Sequence, residues 1–317
     1  MHHAPPRRPP QLSAMQRSGS TPSKRPPTIL ISWDVDGTLL TTRGDRANRL
    51  HKRAFAAAWR EVHGLELDID AVPHQACAEE GEMGAVGSLF SFSAGQPARP
   101  PTPRLLQGST DPLILLKVLA TADDPAAAAD PRLEAMADAM KSFYAAHVAQ
   151  AGDGLHALPG AEAVLAARAA TDGVVVGLAT GNLEPIGVEK IRRLGLLQYM
   201  TPSACGTTIV GGFGEAGTCG GDWGEPQHDR AALLGVAAER AAAAAGAPPV
   251  RRVHVGDTPF DILAAVAAGA EPVGVATGAH SLAELAAVAP PGTALLDSLE
   301  DLGAVLAALG LERGSAC

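Results

Sequence analysis

The feature that most limits what this chain can fold into is the apolar run Thr28-Ile-Leu-Ile-Ser-Trp33, which ends in Asp34-Val35-Asp36-Gly37-Thr38. An apolar strand there carries two carboxylates, two residues apart, into a glycine turn. Side chains at i and i+2 of a strand share a face, so Asp34 and Asp36 converge at a strand end that can hold a cation and a phosphoryl group together. The spacing alone says little, because about one Asp-x-Asp arises by chance in a chain this long. Asp68-Ile69-Asp70 has the same spacing without the apolar strand or the Gly-Thr turn, and reads as solvated carboxylates.

Two later segments end apolar runs in the same manner. Val174-Val-Val-Gly-Leu-Ala-Thr180-Gly181-Asn182 closes on a hydroxyl and a glycine turn before a helix near Glu184. Backbone N–H groups at such a turn, with the Thr180 hydroxyl, can hold phosphate oxygens. Val253-His-Val-Gly256-Asp257-Thr-Pro-Phe-Asp261 passes from strand to helix and carries acids four residues apart; Asp45, Asp153 and Asp222 also follow a glycine, but no acid stands four residues beyond them.

Strands are expected at 28–33, 174–179, 252–255, 272–276 and 294–296, with helices at 160–170, 184–194, 229–245, 259–268 and 281–288. That alternation predicts an α/β protein with a parallel sheet flanked by crossover helices. All three motifs then sit past carboxyl ends of strands, where open α/β sheets place their ligands. About 140 residues separate Asp36 from Thr180, far more than a crossover needs, so a second domain is expected between them. Its helical patterns are 48–62, 111–120 and 132–150, and the Gly-, Pro- and Ser-rich stretch 71–104 reads as a loop insertion.

In order and context the motifs resemble the haloacid dehalogenase superfamily, whose phosphatases carry Asp-x-Asp-Gly-Thr, a Thr or Ser after a second strand, a Lys, and Gly-Asp-x-x-x-Asp. Thr180-Gly-Asn-Leu-Glu-Pro-Ile, Lys190-Ile-Arg-Arg-Leu-Gly-Leu and Gly274-Val-Ala-Thr-Gly look like the phosphoglycolate-phosphatase-like branch. The resemblance implies a Rossmann-like core at 28–42 and 158–317 with an α-helical cap at 43–157 after the first motif. It also implies a Mg²⁺-dependent phosphatase of small phosphorylated metabolites, with phosphoglycolate as first substrate and an aspartyl-phosphate intermediate.

In that frame Asp34 is the nucleophile, and Mg²⁺ is held by the Asp34 carboxylate, the Asp36 backbone carbonyl and the Asp257 carboxylate. Asp36 is the general acid and base, which calls for a pKa nearer neutrality than a free carboxylate has. An acid at this position favours ester cleavage over carbon–halogen chemistry, since halide leaves without a proton. Lys190, the only lysine between the second and third motifs, is expected to balance Asp34 and the phosphoryl group. Arg230 is the reserve cation, or else a surface partner of Asp229. Thr180, Gly181 and Asn182 form the phosphate turn, and Asp261 supports the metal or complements a helix dipole. In the cap, Gly108-Ser109-Thr110-Asp111-Pro112 reads as a helix start with capping hydroxyls and resembles the family's substrate-selecting loop. His51-Lys52 reads as a solvated face. A phosphosugar mutase, which also needs both Asp34 and Asp36, and a catalytically silent binding protein on the same fold are the alternatives.

Net charge is −9, and residues 1–28 hold five basic side chains and no acid, leaving −14 for the rest. Such a body does not seek nucleic acid; an anionic metabolite needs locally focused cations. No run approaches the 18 or so apolar residues that span a bilayer. Residues 1–27 read as a disordered tail or an organellar transit segment. The expectation is a soluble intracellular protein, cytoplasmic or organellar. Cys77, Cys205, Cys219 and Cys317 show no disulfide framework, and His74 with Cys77 lacks a second pair to complete a zinc site. Segment 201–227 looks like an added, chemically silent mobile loop, with a metal or partner site using Cys219 and Trp223 as the alternative.

Overall fold

The structure is a computed structural model that describes residues 27–44, 46, 48–66, 109–119, 130–206, 208–220 and 225–311. The expectations for residues 1–26 of the tail, the 71–104 insertion, Gly108, the His74 and Cys77 pair, Cys317 and Trp223 lie outside them.

Six strands form one parallel sheet in the order β5-β4-β1-β6-β7-β8. They are β1 (Ile29–Trp33), β4 (Val174–Thr180), β5 (Gly211–Phe213), β6 (Arg251–Gly256), β7 (Glu271–Val275) and β8 (Ala294–Leu296). β1 is central because its residues are apolar on both faces, as a strand covered on both sides requires. Ile31 and Trp33 pack with Val176, Leu178, Val253 and Val255 beneath α4 (Ala161–Ala169), α5 (Glu184–Arg193) and α9 (Leu302–Ala308). On the other face Leu30 and Val175 meet Ala237 and Ala241 of α6 (Gln227–Ala245), and Ala179 meets Leu234 together with Ala264 and Ala265 of α7 (Pro259–Ala267). The alanines allow these helices to lie close on the sheet. The last connecting helix, α8 (Leu282–Val288), starts with a capping box in which Ser281 and Glu284 exchange hydrogen bonds.

A second layer of helices stands over the carboxyl end of the sheet: α1 (Arg49–His63), α2 (Asp111–Leu119) and α3 (Leu133–Ala146). Phe55, Trp59, Ile114, Leu115, Met136, Met140 and Tyr144 form its core, which also takes in Leu183 and Ile186 from the start of α5. Two short strands, β2 (Leu40–Thr42) and β3 (Leu155–Ala157), pair antiparallel. The chain therefore leaves the first motif and returns to the sheet along the same ribbon.

Four elements were not expected: β2, β3, β5 and α9. Segment 201–227 was expected to be an added mobile loop, yet β5 extends the sheet from it and buries Phe213. Among the described residues no helix is long and apolar enough to cross a membrane.

Candidate active site

The three motifs follow three neighbouring strands. Trp33 pairs with Leu178 on one side and Val255 on the other, so Asp34, Thr180 and Asp257 emerge side by side. The Asp34 N–H donates to the Val255 carbonyl at 2.9 Å. Alternation along β1 sends Leu30 toward α6, and Asp34, four residues on, points the same way. That direction explains which side chains it meets: Arg230 from α6 and Asp261 from α7.

Asp34 is buried, with Oδ2 3.6 Å from Arg230 Nη1 and Oδ1 without any hydrogen-bond partner. Burial pushes its carboxyl up to about 6; Arg230 opposes the rise, while Asp261 and Asp36 add to it. Asp257 stands well above the usual carboxylate range, first through burial and then through repulsion from Asp261 and Asp34. Its Oδ1 accepts from Thr38 Oγ1 at 2.8 Å. Asp257 fits only because two neighbours lack side chains. A Cβ on Gly37 would come within 2.4 Å of its Oδ2 and one on Gly278 within 1.8 Å, and Gly37 also needs its φ of +89°.

Asp261 forms an ion pair with Arg230 and a capping box with Thr258, and His254 Nε2 lies 3.4 Å away. Arg230 is the main opposing charge that holds its carboxyl far below the ordinary range despite burial. Oxygens of Asp34, Asp257 and Asp261 lie within 4.8 Å of one another. Three buried carboxyls so close need cationic charge to ionise together, and Arg230 provides one positive group. With hard oxygen donors on all three side chains, the cluster fits a divalent ion of the Mg²⁺ type. Of the three, Asp261 is the most committed to protein partners.

The geometry reassigns the two cations. Lys190, expected beside Asp34, is fully buried and places Nζ 2.9 and 2.8 Å from the Asp36 oxygens and 2.8 Å from Asn182 Oδ1. Arg230, treated as a reserve, is the cation at Asp34. It does not pair with Asp229, whose Oδ1 accepts from the Gly220 N–H at 2.7 Å. Asp36 also differs from expectation. Burial raises its carboxyl, but the Lys190 ammonium and hydrogen bonds from Lys190 and Asn182 outweigh that and hold it below the usual value. Asn182 Nδ2 donates to Asp36 Oδ2 at 2.8 Å and to Thr180 Oγ1 at 2.7 Å, which joins the phosphate turn to the same network.

A model of haloacid dehalogenase-like hydrolases matches residues 30–269. The chain belongs to that family of hydrolases. Among solved structures, a protein from Bacteroides fragilis described as a haloacid dehalogenase-like hydrolase shares 16% identity at a TM-score of 0.50, over 87% of this chain and 100% of its own. A β-phosphoglucomutase from Clostridium difficile shares 16% identity at 0.49, over 87% and 92%. A hydrolase from Pseudomonas syringae shares 18% at 0.48, over 87% and 96%. No curated protein matches the chain significantly.

In this haloacid dehalogenase-like hydrolase the loop before α2 lies on the second motif. The Asp111 N–H donates to the Gly181 carbonyl at 2.7 Å, and Asp111 Oδ2 accepts from the Leu183 N–H at 2.9 Å. Ser109 and Thr110 are buried: Ser109 Oγ accepts from Lys117 Nζ at 2.8 Å, and Thr110 Oγ1 lies 3.4 Å from the Leu113 N–H. Neither lines the cavity between the three motifs, whereas Asp34, Asp36, Thr180, Asn182, Arg230, Asp257 and His280 do. His51 does not sit on a solvated face. It is buried, 3.0 Å from Asp111 Oδ2, and stacks on Phe55 at 5.1 Å. The spacing of His51, Phe55 and Trp59, one helical turn each, carried the signal that this face is inward.

Proposed function

We propose that this haloacid dehalogenase-like hydrolase is a Mg²⁺-dependent phosphatase of small phosphorylated metabolites, with phosphoglycolate as the first substrate to try. The observation that carries the reading is Asp34: a buried carboxylate with one unpartnered oxygen, beside Arg230 and next to Asp257. Its free oxygen attacks phosphorus in line, the ester oxygen leaves, and water later hydrolyses the aspartyl-phosphate. The carboxylates of Asp34 and Asp257 and the Asp36 carbonyl would hold Mg²⁺, which would supply the positive charge that lets one anion approach another. Arg230 neutralises the nucleophile's neighbourhood, and Asp261 orients Arg230.

Thr180, Gly181 and Asn182 form the turn that receives the phosphoryl oxygens. Asp36 gives a proton to the leaving alcohol and takes one from the attacking water. An arriving phosphoryl group competes with Asp36 for the Lys190 ammonium and the Asn182 amide, which relaxes the hold that keeps Asp36 ionised. We assign residues 43–157 to a cap inserted in a core of 28–42 and 158–317; the β2/β3 ribbon at both junctions supports those boundaries.

The test is phosphate release from a panel of phosphometabolites with and without Mg²⁺, beside Asp34→Asn. Release that needs Mg²⁺ and is abolished by Asp34→Asn is expected. Undiminished hydrolysis in that variant removes the nucleophile. An isomerised product from glucose 1-phosphate with a bisphosphate activator points to a mutase instead.

A further inference from the structure

We propose that His280 reads the alcohol part of the ester and selects phosphate monoesters that carry an oxygen, carboxylate or hydroxyl, on the carbon next to the ester carbon. The inference rests on the phosphatase reading above and assigns a role to a side chain that the chemistry leaves unused. His280 lines the same cavity as Asp34, Asp36, Asn182 and Arg230. It comes from the loop after β7, whereas the phosphoryl-handling groups follow β1, β4 and β6 or belong to α6.

That loop is tied to the floor of the site. Thr277 Oγ1 donates to the Gly37 carbonyl at 2.6 Å, and Gly278 packs against the Asp257 carboxylate. His280 is held from the other side too. Its Nδ1 lies 3.8 Å from Glu284 Oε1, while Glu284 Oε2 accepts from the Ser281 N–H and Oγ, both at 2.9 Å. Its Nε2 is buried and has no hydrogen-bond partner. Buried polar atoms in native proteins rarely lack one. An imidazole nitrogen donates or accepts according to its tautomer, so it can serve a carboxylate or a hydroxyl oxygen, but it has nothing to bind in a plain alkyl group. Apart from Arg230 the other side chains around the cavity are short, and Ala279 is the one purely apolar side chain among them, with the methyls of Thr180 and Thr258 beside it.

The test compares phosphoglycolate with ethyl phosphate, which have similar length and differ in the oxygens next to the ester carbon. Binding is measured by calorimetry in the full chain carrying Asp34→Asn, without added Mg²⁺, which that variant holds poorly, and with or without His280→Ala or His280→Gln. His280→Ala is expected to weaken phosphoglycolate about three- to tenfold, the worth of one hydrogen bond, and to leave ethyl phosphate unchanged. His280→Gln, which keeps a donor and an acceptor, is expected to recover part of the preference. An equal loss for both ligands makes His280 structural, and no loss for either removes it from the site; each overturns the proposal. Failure of the phosphatase reading has a different signature: phosphate release from the otherwise unaltered chain that Asp34→Asn does not diminish. The two affinities still judge His280 in that case.

Discussion

Lys190 and Asp36 are each the other's main charge partner, with Lys190 fully buried and the Asp36 side chain 11% exposed. Lys190→Met keeps much of the volume and strands a carboxylate with only the Asn182 amide for support. Breaking a buried pair from one side costs about 3 kcal/mol or more, and loss of one charge-stabilising donor in a reacting site costs on the order of 10² in rate. Urea unfolding and kcat/KM on the best ester are expected to show both; a stability loss below about 1 kcal/mol would mean that the pair is far more solvated than its geometry implies. Gly37→Ala acts on position instead. The new methyl meets Asp257 Oδ2 at 2.4 Å, so the carboxylate has to move. A shift of about 1 Å in a reacting site can cost on the order of 10²-fold in rate, and that loss is expected with the far-ultraviolet circular dichroism unchanged.

The residue types at the strand ends were legible because strand alternation and glycine turns leave a mark in the sequence. Cation partners were legible only in part: Arg230 read as a reserve cation or else a companion of Asp229, although adjacent residues on a helix do not face each other.

At the scale of elements, length helped without deciding: β8 (Ala294–Leu296) and α8 (Leu282–Val288) are as short as elements that were missed, yet stand where they were expected. The expected strand at 252–255 is β6 (Arg251–Gly256), and the expected helix at 229–245 is α6 (Gln227–Ala245), because each carries enough residues to show its period. β2, β3 and β5 have three residues apiece, too few for an alternation to register. α9 has only seven residues and was missed, although Asp301 marks its start: its side chain accepts from the Ala304 N–H at 3.0 Å. Asp301→Ala is expected to cost about 1 kcal/mol, which for a chain of this size lowers Tm by about 2–4 °C, with kcat unchanged because α9 lies under the sheet and lines no part of the cavity. A calorimetric scan beside an activity assay checks both halves; a fall in kcat would show that α9 communicates with the site.

Across the whole molecule, the acids of the first and third motifs set a conflict between folding and function. Asp34 and Asp257 are buried beside Asp261, and burial raises both carboxyls, so ionising them costs folding free energy. Arg230 relieves part of that cost through Asp261 and Asp34. A divalent ion held by Asp34 and Asp257, as proposed, would relieve the rest, and because the unfolded chain does not bring these residues together, its binding would stabilise the native state. At an ion concentration of about 100 times the dissociation constant the gain is roughly 2.7 kcal/mol, which at about 2–4 °C per kcal/mol raises Tm by roughly 5–11 °C. Thermal unfolding with EDTA and with saturating Mg²⁺ measures this directly. The rise is expected to shrink sharply in Asp34→Asn and in Asp257→Asn, and to persist in Lys190→Met, because Lys190 bonds the Asp36 carboxylate and Asn182 rather than the carboxylates of Asp34 and Asp257. A rise of equal size in all four proteins would place the bound Mg²⁺ elsewhere on this acidic chain and leave the three-carboxylate cluster without its ion.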